Sequence, residues 1–173
     1  MHEDFLNRLS TVILIVAGVS GSGKTTVGTL LAERLGWRFA DADEFHPAAN
    51  IEKMHAGIPL TDDDRWPWLH AIAAWMDERI AAGEPAVITC SALKRSYRDV
   101  LLGGRPRAQM IFLAPDREVL TRRLAARHGH FFTGQLLGTK LASLEPPAPD
   151  ERVLTVVPAG EQDATVDAII ALL

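Results

Sequence analysis

Cysteine is almost missing from this chain: Cys90 is the single one in 173 residues. An intrachain disulfide is therefore impossible, and a cysteine-rich metal centre is excluded. The simplest home for such a chain is a reducing, cytoplasmic compartment. Apolar runs long enough to span a membrane are also lacking, and the leader Met1-His2-Glu3-Asp4-Phe5 is acidic, which argues against a signal peptide. There is no excess of positive charge. Lys plus Arg number 18 against 22 Asp plus Glu, a net charge of −4 that gives no general pull toward nucleic acid or anionic membrane. Internal repeats, low-complexity tracts and interdomain linkers are absent. What remains is 47% hydrophobic and 23% charged, which suits one globular domain over residues 1–173 with a full core and room for a small inserted lid.

One stretch organises the rest. Gly18-Val19-Ser20-Gly21-Ser22-Gly23-Lys24-Thr25 matches the phosphate-loop pattern G-x-x-x-x-G-K-[ST] at every required position. It follows the apolar run Val12 to Ala17 and opens an amphipathic pattern, so it lies between a strand and a helix. Glycines at 18, 21 and 23 let successive N–H groups curl toward one anion, and the dipole of the following helix adds to the attraction. Lys24 is expected to reach the β- and γ-phosphates of a nucleoside triphosphate, and the Thr25 hydroxyl to coordinate Mg²⁺, with Thr26 completing the nucleotide-binding run. A Gly-rich turn with a solvent lysine is the bland alternative, and the flanking strand and helix argue against it.

Short β-branched runs alternate with longer helical patterns, which predicts an α/β fold with a parallel sheet flanked by helices. The first strand is expected at about Thr11 to Ala17 and the first helix from Lys24 to about Leu35, stopped by Gly36. A short strand Arg38-Phe39-Ala40 ends in Asp41-Ala42-Asp43, and Pro47 begins another helix. Asp43 thus falls at the carboxyl edge of the sheet, where open α/β sheets bind ligands. Either Asp41 or Asp43 could instead cap a helix. Gly57 to Arg65 reads as a loop, and its run Asp62-Asp63-Asp64 suits a helix N-terminus better than a metal. Trp68, Leu69, Ile72, Trp75, Met76 and Ile80 then recur at helical spacing as core. Ala86 to Cys90 is the third strand, with Cys90 a buried small residue rather than a nucleophile. Lys94, Arg95 and Arg98 follow it near the same edge, where a solvated basic face is the competing reading. Met110 to Leu113 is the fourth strand. Asp116 to about Arg127 is a helix carrying Arg123 and Arg127 one turn apart, and residues 128–140 hold a glycine-flanked segment with the look of a lid. A helix through Leu141 and Leu144, a fifth strand from Val153 to Val157 and a closing helix from Thr165 to Leu173 complete the reading.

A phosphate loop, a carboxylate after strand two and an Arg-x-x-x-Arg helix before a lid are the parts of a small-molecule phosphotransferase. Such a reaction needs positioning, charge stabilisation and a base near the acceptor hydroxyl. A non-catalytic nucleotide switch needs the loop but has no use for a second polar pocket, and no N-K-x-D guanine-reading motif stands out. Beyond the loop, the chain carries Asp41-Ala42-Asp43, His46-Pro47, Asn50 to Met54, Gly57 to Leu60, Asp62 to Arg65, Pro67-Trp68-Leu69, Cys90 to Lys94, Tyr97-Arg98-Asp99 and Gly129-His130-Phe131. With these segments, from about Ile13 to Pro147, the sequence resembles the small phosphate-loop gluconokinases, relatives of shikimate kinase and the nucleoside monophosphate kinases. The resemblance implies a five-stranded parallel sheet with a lid, a homodimer, and transfer of the γ-phosphoryl of ATP to the 6-hydroxyl of D-gluconate. It implies Asp43 as the substrate-side catalytic carboxylate. Arg65, Lys94 and Arg98 become candidates for the sugar acid, and Arg123 and Arg127 face ATP, with Arg127 assisting transfer. His46 is either a substrate ligand or a structural residue locking the turn before Pro47. Lys140 and Gly138 depart from the family pattern. A shikimate-type or other small-metabolite kinase is the alternative enzyme.

Overall fold

The computed structural model describes residues 11–19, 22–114, 144–158 and 161–173. Five strands form one parallel sheet: β1 (Ile13–Ala17), β2 (Arg38–Asp41), β3 (Ala86–Cys90), β4 (Ala108–Leu113) and β5 (Val153–Val156), in the order β2-β3-β1-β4-β5. The helices are α1 (Lys24–Leu35), α2 (Ala48–His55), α3 (Asp62–Ala82), α4 (Arg95–Leu102) and α5 (Gln162–Leu172), with a short 3₁₀ turn at Ala42–Phe45. The five expected strands and the helices expected after β1, β2, β3 and β5 are present, their ends moved by a few residues.

β1 is the centre, and every one of its side chains is fully buried. Successive residues of a strand point to opposite faces. Ile13, Ile15 and Ala17 accordingly join a core with Trp68, Leu69, Ile72 and Met76 of α3, while Leu14 and Val16 join another with Val27 and Leu31 of α1 and Ile169 of α5. A strand covered on both faces reads as an unbroken apolar run, which is why Ile13 to Ala17 shows no alternation in sequence. Gly28 lets α1 approach the sheet closely, since a Cβ there would lie 2.7 Å from the Thr89 methyl. Gly36 ends α1 in the left-handed conformation expected of a C-terminal glycine.

One boundary departs from the sequence reading. Gly57 to Arg65 reads as a loop, yet α3 begins at Asp62. The Thr61 hydroxyl accepts from the Asp64 amide at 3.2 Å, and the Asp64 carboxylate accepts from the Thr61 amide at 2.9 Å. This reciprocal capping satisfies two otherwise orphaned donors, so the acidic run starts the helix and Arg65 sits in its first turn. Pro67 lies inside α3, where it gives up one backbone donor that core packing by Trp68 and Leu69 offsets.

Ser20, Gly21, the helix from Asp116 to Arg127 with Arg123, the lid at 128–140 and Leu141 lie outside the described residues; Leu144, expected in a helix with Leu141, is described and lies in no helix.

Candidate active site

The register brings three strand ends to one edge of the sheet. Ala17 stands beside Cys90, and Asp41 beside Thr89. The segments that continue from these ends are the phosphate loop, the Asp41-Ala42-Asp43 turn and the Ser91-to-Lys94 crossing. Burial pushes the Cys90 thiol up to about 12, with smaller influences from the charges of Lys24, Asp43 and Asp41. Burial thus keeps the thiol in its neutral form, and those three charged groups gather around the end of β3.

At the loop, Gly18 has φ +150, and a Cβ on it would lie 2.8 Å from the Ser22 hydroxyl and 3.0 Å from the Leu113 carbonyl. Only glycine fits this close approach. Gly23 occupies the N-cap of α1 in the left-handed region, with no side chain to cap the helix. No side chain thus caps the first turn, which suits a helix N-terminus that meets an anion. Lys24 is half-buried, and Thr25 and Thr26 are exposed in the same first turn. A cradle closed to any Cβ, followed by a lysine and a hydroxyl, fits a nucleotide phosphate with its metal.

The 3₁₀ turn answers the question left by the two aspartates. Asp41 is the cap, its carboxylate accepting from the Asp43 amide at 2.9 Å. Asp43 is freed from that duty, and its side chain is 84% exposed. Trp68 pins the turn by donating from its indole to the Ala42 carbonyl at 2.6 Å, and His46 stacks on the Trp68 ring with centroids 4.4 Å apart. The Asn50 amide donates to His46 Nδ1 at 3.2 Å and to the Asp64 carbonyl at 2.8 Å. With Nδ1 accepting, the imidazole proton sits on Nε2, 4.0 Å from the Asp43 carboxylate. Burial lowers the His46 pKa, while Asp43 pulls it up and Arg65 pushes it down. His46 is a neutral imidazole wedged between Trp68 and Asn50, which fits its structural reading and still leaves Nε2 turned toward Asp43.

Arg65 and Lys94 come together across 29 positions of sequence, as the sugar-acid reading requires. Arg65 donates from Nη1 to the Leu60 carbonyl at 2.9 Å and to the Tyr97 hydroxyl at 3.3 Å. Lys94 pairs with Asp62 at 2.9 Å. That hydrogen bond, aided by the field of the Tyr97 phenol, raises the lysine pKa, while Tyr97 and Lys94 together lower that of Asp62. Asp62 and Tyr97 escape a reading of sequence, since their pairing spans 35 positions; the one local hint is that Lys94 and Tyr97 are three residues apart at the start of α4.

Arg98 is a correction. Its guanidinium is not available to a substrate: its side chain is 1% exposed and pairs through Nε at 2.7 Å with Glu151, itself 3% exposed. Nη1 donates to the Ala92 carbonyl at 3.0 Å. Ala92 has φ +43, the one positive value among the described non-glycine residues, a conformation that costs a residue with a Cβ roughly 1–2 kcal/mol. Arg98 thus holds the strained turn that carries the chain from Cys90 to Lys94. Arg98→Met should destabilise the protein by about 3–5 kcal/mol, because Glu151 would be left buried and unpaired. Replacing both partners with apolar residues should recover most of the loss; chemical denaturation of the single and double variants measures this. Glu151 is held below its usual pKa, first by Arg98. A depressed carboxylate contributes stability above its unfolded pKa that fades as pH falls through the acid range, so the single variant should lie closest to the parent in acid.

With this geometry in place, comparison with known proteins decides the family. A family model described as an AAA domain matches residues 13–147. A gluconokinase from Gluconobacter oxydans is 48% identical over 169 residues, covering 98% of this chain and 94% of that protein. This chain belongs to the gluconokinase family. The thermoresistant gluconokinase of Escherichia coli is 44% identical over 92% of this chain and 89% of its own length. A solved gluconokinase from Sinorhizobium meliloti superposes with a TM-score of 0.79 at 46% identity, covering 92% of this chain and 89% of that one. The chain is accordingly a kinase of the phosphate-loop class. No helix among the described residues is long and apolar enough to cross a membrane.

Proposed function

We propose that this protein transfers the γ-phosphoryl of ATP to the 6-hydroxyl of D-gluconate, giving 6-phospho-D-gluconate and ADP. The observation that carries the reading is a phosphate cradle and an exposed Asp43 carboxylate at one sheet edge, in a chain of the gluconokinase family. Lys24 and the loop amides bind and orient the nucleotide phosphates, and Thr25 would hold Mg²⁺, which when bound neutralises phosphate charge. Asp43 accepts the proton of the acceptor hydroxyl, the His46 Nε2 side of the turn keeping its carboxylate in place. Arg65 and Lys94 bind the acceptor's carboxylate end. Arg123 and Arg127, beside a lid at about 128–140, would complete the charge stabilisation around ATP, and Arg127→Ala should weaken ATP use. We also propose a homodimer, which sedimentation of the purified protein tests, and a cytoplasmic location, which cell fractionation tests.

Turnover of gluconate against glucose tests the acceptor. Glucose offers a primary hydroxyl but no carboxylate, so it would leave without an anion the one positive charge of the Arg65–Lys94 pair that Asp62 does not balance. Discrimination on the order of a hundredfold or more in kcat/KM is expected. Arg65→Met should erode most of it by weakening gluconate, with ATP affinity little changed. Equal kcat/KM for the two sugars in the parent would defeat the sugar-acid reading, and shikimate turnover in the same ADP-release assay would favour the alternative kinase.

A further inference from the structure

Tyr97 is the single tyrosine of the chain, and it is buried between the two cations assigned to the acceptor. The Arg65 guanidinium carbon lies 5.7 Å and the Lys94 ammonium 5.6 Å from its ring centroid. Trp66 packs edge-on against the same ring at 5.7 Å. Its hydroxyl has one proton, and the ionised Asp62 carboxylate can only accept, so the phenol donates to Asp62. The lone pairs that remain accept from Arg65 Nη1. Direction along this relay is therefore fixed, from Arg65 to Tyr97 to Asp62.

Arg65 Nη1 has no hydrogen to spare for a ligand. Nη1 carries two protons; one goes to Tyr97 and the other to the Leu60 carbonyl. A guanidinium offers five donors in a rigid fork, so with Nη1 filled the edge formed by Nη2 and Nε is the one that can take a carboxylate through two parallel bonds. Charge balance agrees. Arg65 and Lys94 bring two positive charges to one ring, and Asp62 returns one, leaving a single positive charge for an incoming anion. The field of Arg65 reaches His46, which is 4.0 Å from Asp43, so this cation belongs to the pocket of the proposed base.

We propose that Tyr97 is a positioning residue for acceptor recognition: fixed by Asp62, its hydroxyl holds Arg65 Nη1 and so presents the Nη2–Nε edge to the acceptor's carboxylate. This rests on the sugar-acid reading above. It differs from a merely structural role for Tyr97, which the buried ring alone would fill.

Tyr97→Phe keeps the ring and removes the hydroxyl. KM for gluconate should rise on the order of tenfold, the scale of one hydrogen bond to a charged group, with kcat at saturation and KM for ATP within about twofold. In an Arg65→Met background the same change should add nothing, because its route is through Arg65. An unchanged gluconate KM, an equal rise in the ATP KM, or a full effect persisting in Arg65→Met would each overturn the proposal. A second measurement needs no substrate. Phenolate absorbance reports Tyr97 alone, and the midpoint in the folded protein should move up in Arg65→Met, since the cation holds it down against burial and the Asp62 bond. Identical midpoints in parent and variant overturn the relay whatever the acceptor is. A shifted midpoint in a parent protein that does not turn over gluconate would keep the relay and overturn the acceptor assignment instead.

Discussion

Lys24→Ala is expected to lower phosphoryl transfer by on the order of a thousandfold or more while leaving the melting temperature nearly unchanged. Preorganised charge aimed at a developing anion is often the largest single contribution to catalysis, and removing one such donor typically costs ~10²- to 10³-fold. In the proposed mechanism the Lys24 ammonium also grips the β- and γ-phosphates in the ground state, so ATP affinity should fall with kcat. Folding should tolerate the change because the cradle is shaped elsewhere. Gly18 supplies the close approach to Ser22 and Leu113, and Gly23 turns the chain into α1. Alanine is moreover a good helix former at the first position of α1. An ADP-release assay beside a thermal melt measures both halves; normal turnover in a folded variant would remove the phosphate-loop assignment.

Asp43→Asn should reduce kcat by ~10²- to 10⁴-fold, the usual contribution of a positioned general base, again with little change in melting temperature. Position in the sheet alone leaves the catalytic and capping roles equally open. The geometry separates them, because Asp41 accepts the amide hydrogen bond of the turn while Asp43 projects to solvent. The paired control is Asp41→Ala. It should cost about 1 kcal/mol of stability, as a lost N-cap does, with a much smaller effect on kcat than Asp43→Asn. If instead Asp43→Asn melts early and turns over normally, the base lies elsewhere.

How much was legible without coordinates depended on how local each signal was. The phosphate loop, β1 and the stop at Gly36 are consecutive residues whose backbone demands are written in their types. The second polar pocket was visible only as a set of segments. Arg65 read as a loop residue because three aspartates and a proline obscure the start of α3. The capping pair of Thr61 and Asp64 was the available signal for the true start, with Asp rather than Glu at the reciprocal position. Arg98 read as a substrate cation because it shares α4's first turns with Lys94. Nothing local announces a partner 53 positions away.

From its residue pattern alone, then, this chain determined its class of fold, its phosphate loop and the sheet edge to which the proposed acceptor residues are brought. These follow from periodicity, glycine conformations and strand-to-helix order, all properties of neighbouring residues. Tertiary structure decided which of the charged groups at that edge are free to act. Asp41 is consumed by a cap and Arg98 by Glu151, while Asp43 is left exposed, Arg65 keeps one edge of its fork, and Lys94, though paired with Asp62, stays partly exposed. A charge is satisfied by whatever lies within a few ångströms of it, and in a sheet crossed by helices those neighbours come from distant parts of the chain.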